Sequence, residues 1–198
     1  PDKRVDSQGF ARLRAAGIEV AEGLLEAEAR DTLAGFFQLA TTGRPLVTLK
    51  LATTLDGRIA TRAGESQWIT GAEARKMAHI LRGRHDAVMA GVGTVLADNP
   101  ELTCRVEGFR PTPVVRVIAD SHLRTPLTSR LARTAREAPS WFLIREGTDP
   151  GRRAAFTDLG ATVIPVPGAP AGVDIAAAMV ALGKAGLTRV LVEGGGQL

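Results

Sequence analysis

The 198-residue chain has no tyrosine, one cysteine, three histidines and only 4% aromatic residues. Each shortage removes a class of function. Cys104 has no second cysteine to pair with, so a disulfide-built scaffold is excluded within the chain and a reducing, cytoplasmic setting is expected. His79, His85 and His122 fit neither H-x-E nor H-E-x-x-H spacing, and one cysteine cannot complete a zinc set. No G-x-S-x-G elbow supports serine hydrolysis, and no G-x-x-x-x-G-K-[ST] loop supports a P-loop nucleotidase. Sparse aromatics and dispersed basic residues argue against nucleic-acid binding. No apolar run is long enough to span a membrane, and the opening PDKRVDSQGF lacks an apolar signal region.

What is present is a globular composition: 44% hydrophobic and 23% charged residues, with a net charge of +4. Arginine supplies most of the positive charge. This balance suits an anionic small ligand and equally suits an arginine-rich composition with no ligand at all.

The pattern of apolar residues divides the chain near Pro45. Before it, GIEVAEGLL (17–25) reads as a short strand, and EAEARDTLAGFFQLATTG (26–43) as an amphipathic helix ending at Gly43. After it, PLVTLKLA (45–52), DAVMAG (86–91), VVRVIAD (114–120), SWFLIRE (140–146), ATVIPV (161–166) and TRVLVEG (188–194) read as strands. Helices are expected at 70–83, 152–160 and 174–187, with a short one following the glycines at 91–93. Thr70 and Glu73 have the spacing of a capping box. Strands alternating with helices define an α/β domain with a largely parallel sheet, whose ligands bind beyond the carboxyl ends of the strands.

Two glycine-rich turns lie at such ends. GVGT (91–94) precedes a helix expected to open near Thr94, where free amides and the helix dipole suit a phosphate; it is also compatible with a plain tight turn. EGGG (193–196) repeats the device with a carboxylate at the rim, and is equally compatible with a surface turn. Trp68 is placed to stack on a flat ring or to staple a helix entry. Arg82, Arg84 and Arg105 offer planar forks for a phosphate, or are solvated surface charges. Lys50 interrupts an apolar strand, either facing outward or serving as a cation in a cleft. Glycine turns, hydroxyls, arginines and one or two carboxylates make a site that binds a cofactor bringing its own reactivity, as a nicotinamide does.

Three longer stretches are more specific than any of these motifs: PLVTLKLATTLDGRIAT, then SQWITGAEARKMAHILRGRHDAVMAGVGTVLADNPELTCR, then VLVEGGGQL. Their order and spacing resemble the reductase domain of the bifunctional riboflavin-biosynthesis deaminase/reductase family over residues 45–198. RVDSQGFARLRAAGIEV in the first section resembles the end of that family's deaminase domain. The resemblance implies a dihydrofolate-reductase-like α/β fold, with a largely parallel central sheet flanked by helices. It also implies a division at residues 44/45 between a cytidine-deaminase-like remnant with a linker helix (1–44) and a reductase domain (45–198). Because the family extends further at both ends, the chain is expected to be a fragment, with the sheet incomplete at its C-terminal end and an apolar edge left open.

The implied reaction is reduction of the ribosyl group of 5-amino-6-(5-phosphoribosylamino)uracil to a ribityl chain by NADPH, with water as the proton source. Zinc would belong only to the deaminase part, whose motifs this chain lacks. By position, Ala52, Trp68, Thr94, Asp98, Ser121, Gly195 and Gly196 are implied cofactor contacts, and Ser66, Arg82, Leu102, Arg105 and Glu193 substrate contacts. Lys50 is the implied polar partner beside the reacting sugar, with Glu193 at the rim as the second catalytic candidate. The implied partner is a phosphorylated pyrimidine-ribose molecule, with no nucleic acid and no membrane, and homo-oligomer formation left open. Two other readings stay open: reduction of another substrate such as a pterin, and a non-catalytic nucleotide-binding module.

Overall fold

A computed structural model describes residues 8–65, 69–109 and 112–194 of the chain. Six strands form one sheet, all neighbours parallel: β1 (Leu46–Lys50), β2 (Ala87–Gly91), β3 (Val115–Ala119), β4 (Ser140–Arg145), β5 (Thr162–Val166) and a last strand (Arg189–Glu193). A two-residue hairpin, β6 (Gly168–Ala169) with β7 (Gly172–Val173), precedes the last strand, which is therefore β8. The sheet order is β1-β8-β2-β3-β4-β5.

The central strands are near-continuous apolar runs because both faces are covered. One face packs Val88, Ala90, Ile118, Phe142, Ile144 and Leu191 under α4 (Ala72–Gly83), α5 (Val92–Asp98), α6 (Arg130–Arg133) and α7 (Pro150–Asp158). The other packs Ala87, Met89, Val117, Leu143, Val166 and Val190 under α8 (Ile175–Lys184). Parallel pairing brings every strand's carboxyl end to one edge. The last strand enters between β1 and β2, and open α/β sheets place ligands beyond the carboxyl ends of their strands.

The first section differs from its expectation. Residues 17–25 form turns and loop rather than a strand. α1 (Gln8–Ala15) precedes them. The helix expected over 26–43 is two helices, α2 (Glu26–Thr32) and α3 (Ala34–Thr42), separated at Leu33. Gly43 closes α3 in the left-handed conformation, as its position suggested. α3 is seated against the sheet domain. A Cβ at Gly35 would fall 2.7 Å from Arg189 Cγ, one at Gly183 would collide with the carbonyl of Gly43, and Arg189 donates to the carbonyls of Asp31 and Thr32.

Two start signals also read differently. α4 opens on Gly71, which makes no side-chain cap, so the Thr70–Glu73 capping box does not form; Thr70 instead accepts from Arg75 through its carbonyl. α5 begins at Val92, directly after β2, rather than near Thr94. Gly93 therefore lies inside the helix, where an added Cβ would meet nothing within 4 Å.

Candidate active site

Two groups of residues occupy the carboxyl edge of the sheet. The first is an ionic cluster at β1, β8 and α4. Glu193, the last residue of β8, is almost fully buried. Arg82, near the end of α4, meets it with both arms of its fork: Nε to Oε1 at 2.7 Å and Nη2 to Oε2 at 2.9 Å. Its Nη1 donates to the carbonyl of Thr103 at 3.1 Å. Lys50, the register partner of Glu193 across the β1–β8 pair, places Nζ 3.8 Å from Oε2. A bidentate guanidinium–carboxylate pair of this kind is strong and directional, and it fixes the orientation of the carboxylate.

His79 lies one turn before Arg82 on α4. Its Nδ1 is 3.0 Å from the Thr103 carbonyl, and its Nε2 is 3.4 Å from Arg105 Nη2. A neutral ring with the proton on Nδ1 donates to Thr103 and accepts from Arg105 Nη2, whereas the Arg105 amide, 3.3 Å from Nδ1, would need the other tautomer. Burial, with Arg82 and Arg105 nearby, depresses the His79 pKa below its ordinary value, against the opposing pull of the Thr103 carbonyl and Glu193. Arg105 also reaches Glu101, which in turn meets Arg130.

The second group surrounds a cavity of about 580 Å³ at the ends of β2, β3 and β4. Gly91, Gly93 and Thr94 line one side, Ser121, His122 and Arg124 the floor beyond β3, Arg145 the end of β4, and the β6–β7 hairpin the far wall. Among the described residues, no carboxylate lines it. The two groups meet at Gly194, where an added Cβ would lie 3.4 Å from Thr94 Oγ1. The chemistry of this set, with cations, hydroxyls and bare backbone, fits an anionic dinucleotide.

The residues proposed from sequence distribute as follows. Lys50, Glu193, Arg82 and Arg105 converge on the ionic cluster, and Thr94 and Ser121 line the cavity. Ala52 follows β1, half-buried. Asp98 ends α5, exposed and outside the cavity lining. Leu102 is a core residue with φ 52°, its side chain 4% exposed and packed with Val95 and Leu123 in the sheet core, so any contact it makes with a ligand is through its backbone. Arg84 caps α4 on the surface and does not join the cluster. Ser66, Trp68, Gly195 and Gly196 lie outside the described residues. Arg82 needs one revision: its fork is engaged by Glu193, so it orients that carboxylate instead of standing open for a phosphate.

His79, Arg124 and Arg145 did not stand out in the sequence. His79 has a signal in hindsight, its i,i+3 spacing from Arg82 on one helix. Arg124 and Arg145 each follow or end a strand at the ligand-bearing edge, a position as informative as a glycine turn.

A parallel sheet with a fixed carboxylate–arginine pair beside a cationic, glycine-framed cavity at its carboxyl edge defines an α/β protein of the kind that binds its ligands at the strand ends. Residues 45–198 match the RibD C-terminal domain family, and the chain belongs to it. It is 39% identical over its whole length to the riboflavin biosynthesis protein RibD of Actinobacillus pleuropneumoniae, covering 52% of that protein. It is 44% identical to the Aquifex aeolicus RibD over 146 residues, 74% of this chain and 40% of that one. Among solved structures, Acinetobacter baumannii RibD superposes with a TM-score of 0.83 at 32% identity, over 98% of this chain and 52% of that one. The chain thus spans about half the length of the relatives it matches. The fold is the dihydrofolate-reductase-like α/β fold expected from the resemblance.

Proposed function

We propose that this chain is the reductase portion of a riboflavin-biosynthesis deaminase/reductase. In this reading it reduces the ribosyl group of 5-amino-6-(5-phosphoribosylamino)uracil to a ribityl chain with NADPH. A solved relative from Thermotoga maritima, 32% identical with a TM-score of 0.76, is described as a diaminohydroxyphosphoribosylaminopyrimidine deaminase/5-amino-6-(5-phosphoribosylamino)uracil reductase. The observation that carries the reading is the adjacency at one sheet edge of an oriented carboxylate with two cations and a cavity suited to a dinucleotide.

NADPH, when bound, supplies the hydride. Everything else falls to the chain. Both Glu193 oxygens accept from Arg82 and each retains a second lone pair, so the carboxylate presents fixed acceptors to substrate hydroxyl or N–H donors. Lys50 brings a cation to the same point without displacing Arg82, and favours the oxygen of the open-chain sugar as charge shifts there. Arg105, more exposed and hinged on His79, reaches outward for the substrate phosphate. Holding both molecules at the edge converts an encounter into an oriented pair, the larger part of what such a site contributes. No side chain of this set is assigned as the acid; water delivers the proton.

The same reading makes residues 1–44 the end of a deaminase domain with its linker helix, and zinc a requirement of that other domain alone. It places the protein in the cytoplasm, and leaves a homo-oligomer compatible with the fold. No helix among the described residues is long and apolar enough to cross a membrane.

The test is turnover. Mixing the phosphoribosylamino-pyrimidine with NADPH and the chain should consume the nicotinamide absorbance in equal proportion to ribityl product. Binding of both ligands without consumption would instead establish a non-catalytic module.

A further inference from the structure

The loop that carries Arg105 is fastened to α4 through His79 and Arg82. The Thr103 carbonyl accepts from Arg82 Nη1 at 3.1 Å and lies 3.0 Å from His79 Nδ1. His79 and Arg82 stand one turn apart on the same helix face, so both reach this carbonyl. Further along the loop, Arg105 returns to His79 twice. Its amide lies 3.3 Å from Nδ1, and its Nη2 lies 3.4 Å from Nε2. Cys104, between Thr103 and Arg105, directs Sγ toward Gly83, where an added Cβ would meet it at 3.1 Å.

Both tautomers of neutral His79 give Arg105 an acceptor. With the proton on Nδ1, the ring donates to Thr103 and Nε2 accepts from the guanidinium. With the proton on Nε2, Nδ1 accepts from the Arg105 amide. The imidazolium has two donors and no acceptor, so it keeps Thr103 and loses Arg105 whichever tautomer precedes it. It also sets a third cation beside two guanidinium groups, Arg82 from α4 and Arg105 from the loop. Among the described residues, the carboxylate that opposes them is Glu193 at the end of β8, and it is already shared by Arg82 and Lys50. Burial, then Arg82 and Arg105, lower the His79 pKa, which keeps the half-buried ring neutral at about pH 7.

The other arm of Arg105 is held elsewhere. Nη1 lies 3.1 Å from Glu101 Oε2, and Glu101 also meets Arg130, the first residue of α6, at 3.4 Å. The guanidinium therefore stands between an uncharged acceptor bordering Arg82 and a carboxylate bordering α6.

We propose that neutral His79 is a positioning residue for the substrate phosphate: it holds the Arg105 guanidinium on the side of Arg82 and Glu193, and its protonation releases Arg105 to Glu101 and weakens substrate binding. The inference rests on the reductase reading, in which Arg105 meets the phosphate, and adds to it the group that orients that arginine. In this role His79 acts through Arg105 alone, so its signature lies in KM and not in kcat.

Steady-state turnover of 5-amino-6-(5-phosphoribosylamino)uracil at saturating NADPH tests this, from about pH 5.5 to about pH 8, on either side of the ordinary histidine pKa. The proteins compared are wild type, His79→Gln, His79→Leu, Arg105→Gln and the His79→Leu, Arg105→Gln double variant. Glutamine keeps a neutral acceptor that does not titrate, and leucine removes it. The substrate phosphate titrates in the same range with every variant, so the difference between wild type and His79→Gln isolates the histidine. Across this range the wild-type KM is expected to rise roughly fivefold more than that of His79→Gln as pH falls, with the two kcat values alike at each pH. His79→Leu should raise KM roughly fivefold even at the alkaline end, and that increase should vanish in the Arg105→Gln background. Coincident KM profiles for wild type and His79→Gln overturn the proposal, and so does a His79→Leu effect that persists undiminished without Arg105. Either result leaves the reductase reading standing. Where circular dichroism shows His79→Leu to be unfolded, the His79→Gln profile decides alone. Absence of turnover by folded wild type overturns both.

Discussion

The two halves of the candidate site solve opposite electrostatic problems. At β1, β8 and α4 the charges answer one another: Glu193 is held by both arms of Arg82 with Lys50 beside it, and Arg105 leans on His79 and Glu101. At the ends of β3 and β4 the charged side chains that line the cavity among the described residues, Arg124 and Arg145, are of one sign, and Arg124 stands on a loop held by Asp120. A cluster whose charges are paired within the protein keeps its geometry with or without a ligand. A cavity whose described lining carries cations and no carboxylate would gain counter-charge on binding an anion. Substitutions in the first should therefore cost stability, and substitutions in the second should cost affinity.

The largest effect is expected from Arg82→Ala. It leaves the Glu193 carboxylate nearly buried with Lys50 as its one remaining cation, a loss of about 3 kcal/mol by urea unfolding. Arg82→Ala combined with Glu193→Ala should recover part of that loss, whereas additive losses would show that the pair is not coupled. Next is Gly172→Ala. At φ 149°, with Ser121 Oγ 2.8 Å from the new methyl group, it should lower stability by about 2 kcal/mol and narrow the cavity. An unchanged melting temperature would mean that the hairpin yields freely.

A smaller effect follows from His79. Its pKa is lowered in the folded protein, so as pH falls below about 6.5 the unfolded chain takes up a proton that the folded chain resists, and stability declines. The melting temperature of wild type should drop through this acidic range, and that of His79→Gln should drop less. Identical pH profiles would place the titration elsewhere. Smallest of all, Arg145→Ala should change stability by no more than about 0.5 kcal/mol, because its side chain is exposed and unpaired. A larger loss would show that Arg145 supports the hairpin, and would blur the contrast between the two halves.

Much of this was legible in the sequence. Strand runs such as AVMAG and VLV are apolar on both faces, and the helices between them have ordinary periodicity, so the alternating α/β pattern was readable residue by residue. Short elements without periodicity were not: α6 has four residues, and the β6–β7 hairpin hides in a glycine- and proline-rich stretch that reads as loop. The Thr70–Glu73 pattern misled because a capping box is a local preference, and the chain enters α4 one residue later, on an extended Gly71. Leu102 was named as a contact from its place in a family pattern, whereas its side chain is drawn into the core by the left-handed turn that follows α5. The pairing of Arg82 with Glu193 joins residues 111 positions apart and depends on β8 inserting beside β1, a sheet order that spacing does not encode.

The most direct test uses NADPH carrying deuterium at the transferable nicotinamide position, incubated with the chain and 5-amino-6-(5-phosphoribosylamino)uracil, followed by mass spectrometry of the product. A ribityl product bearing one deuterium on its sugar chain is the predicted result. Unreduced substrate, with both ligands shown to bind a folded chain, would contradict the assignment of hydride transfer to this site.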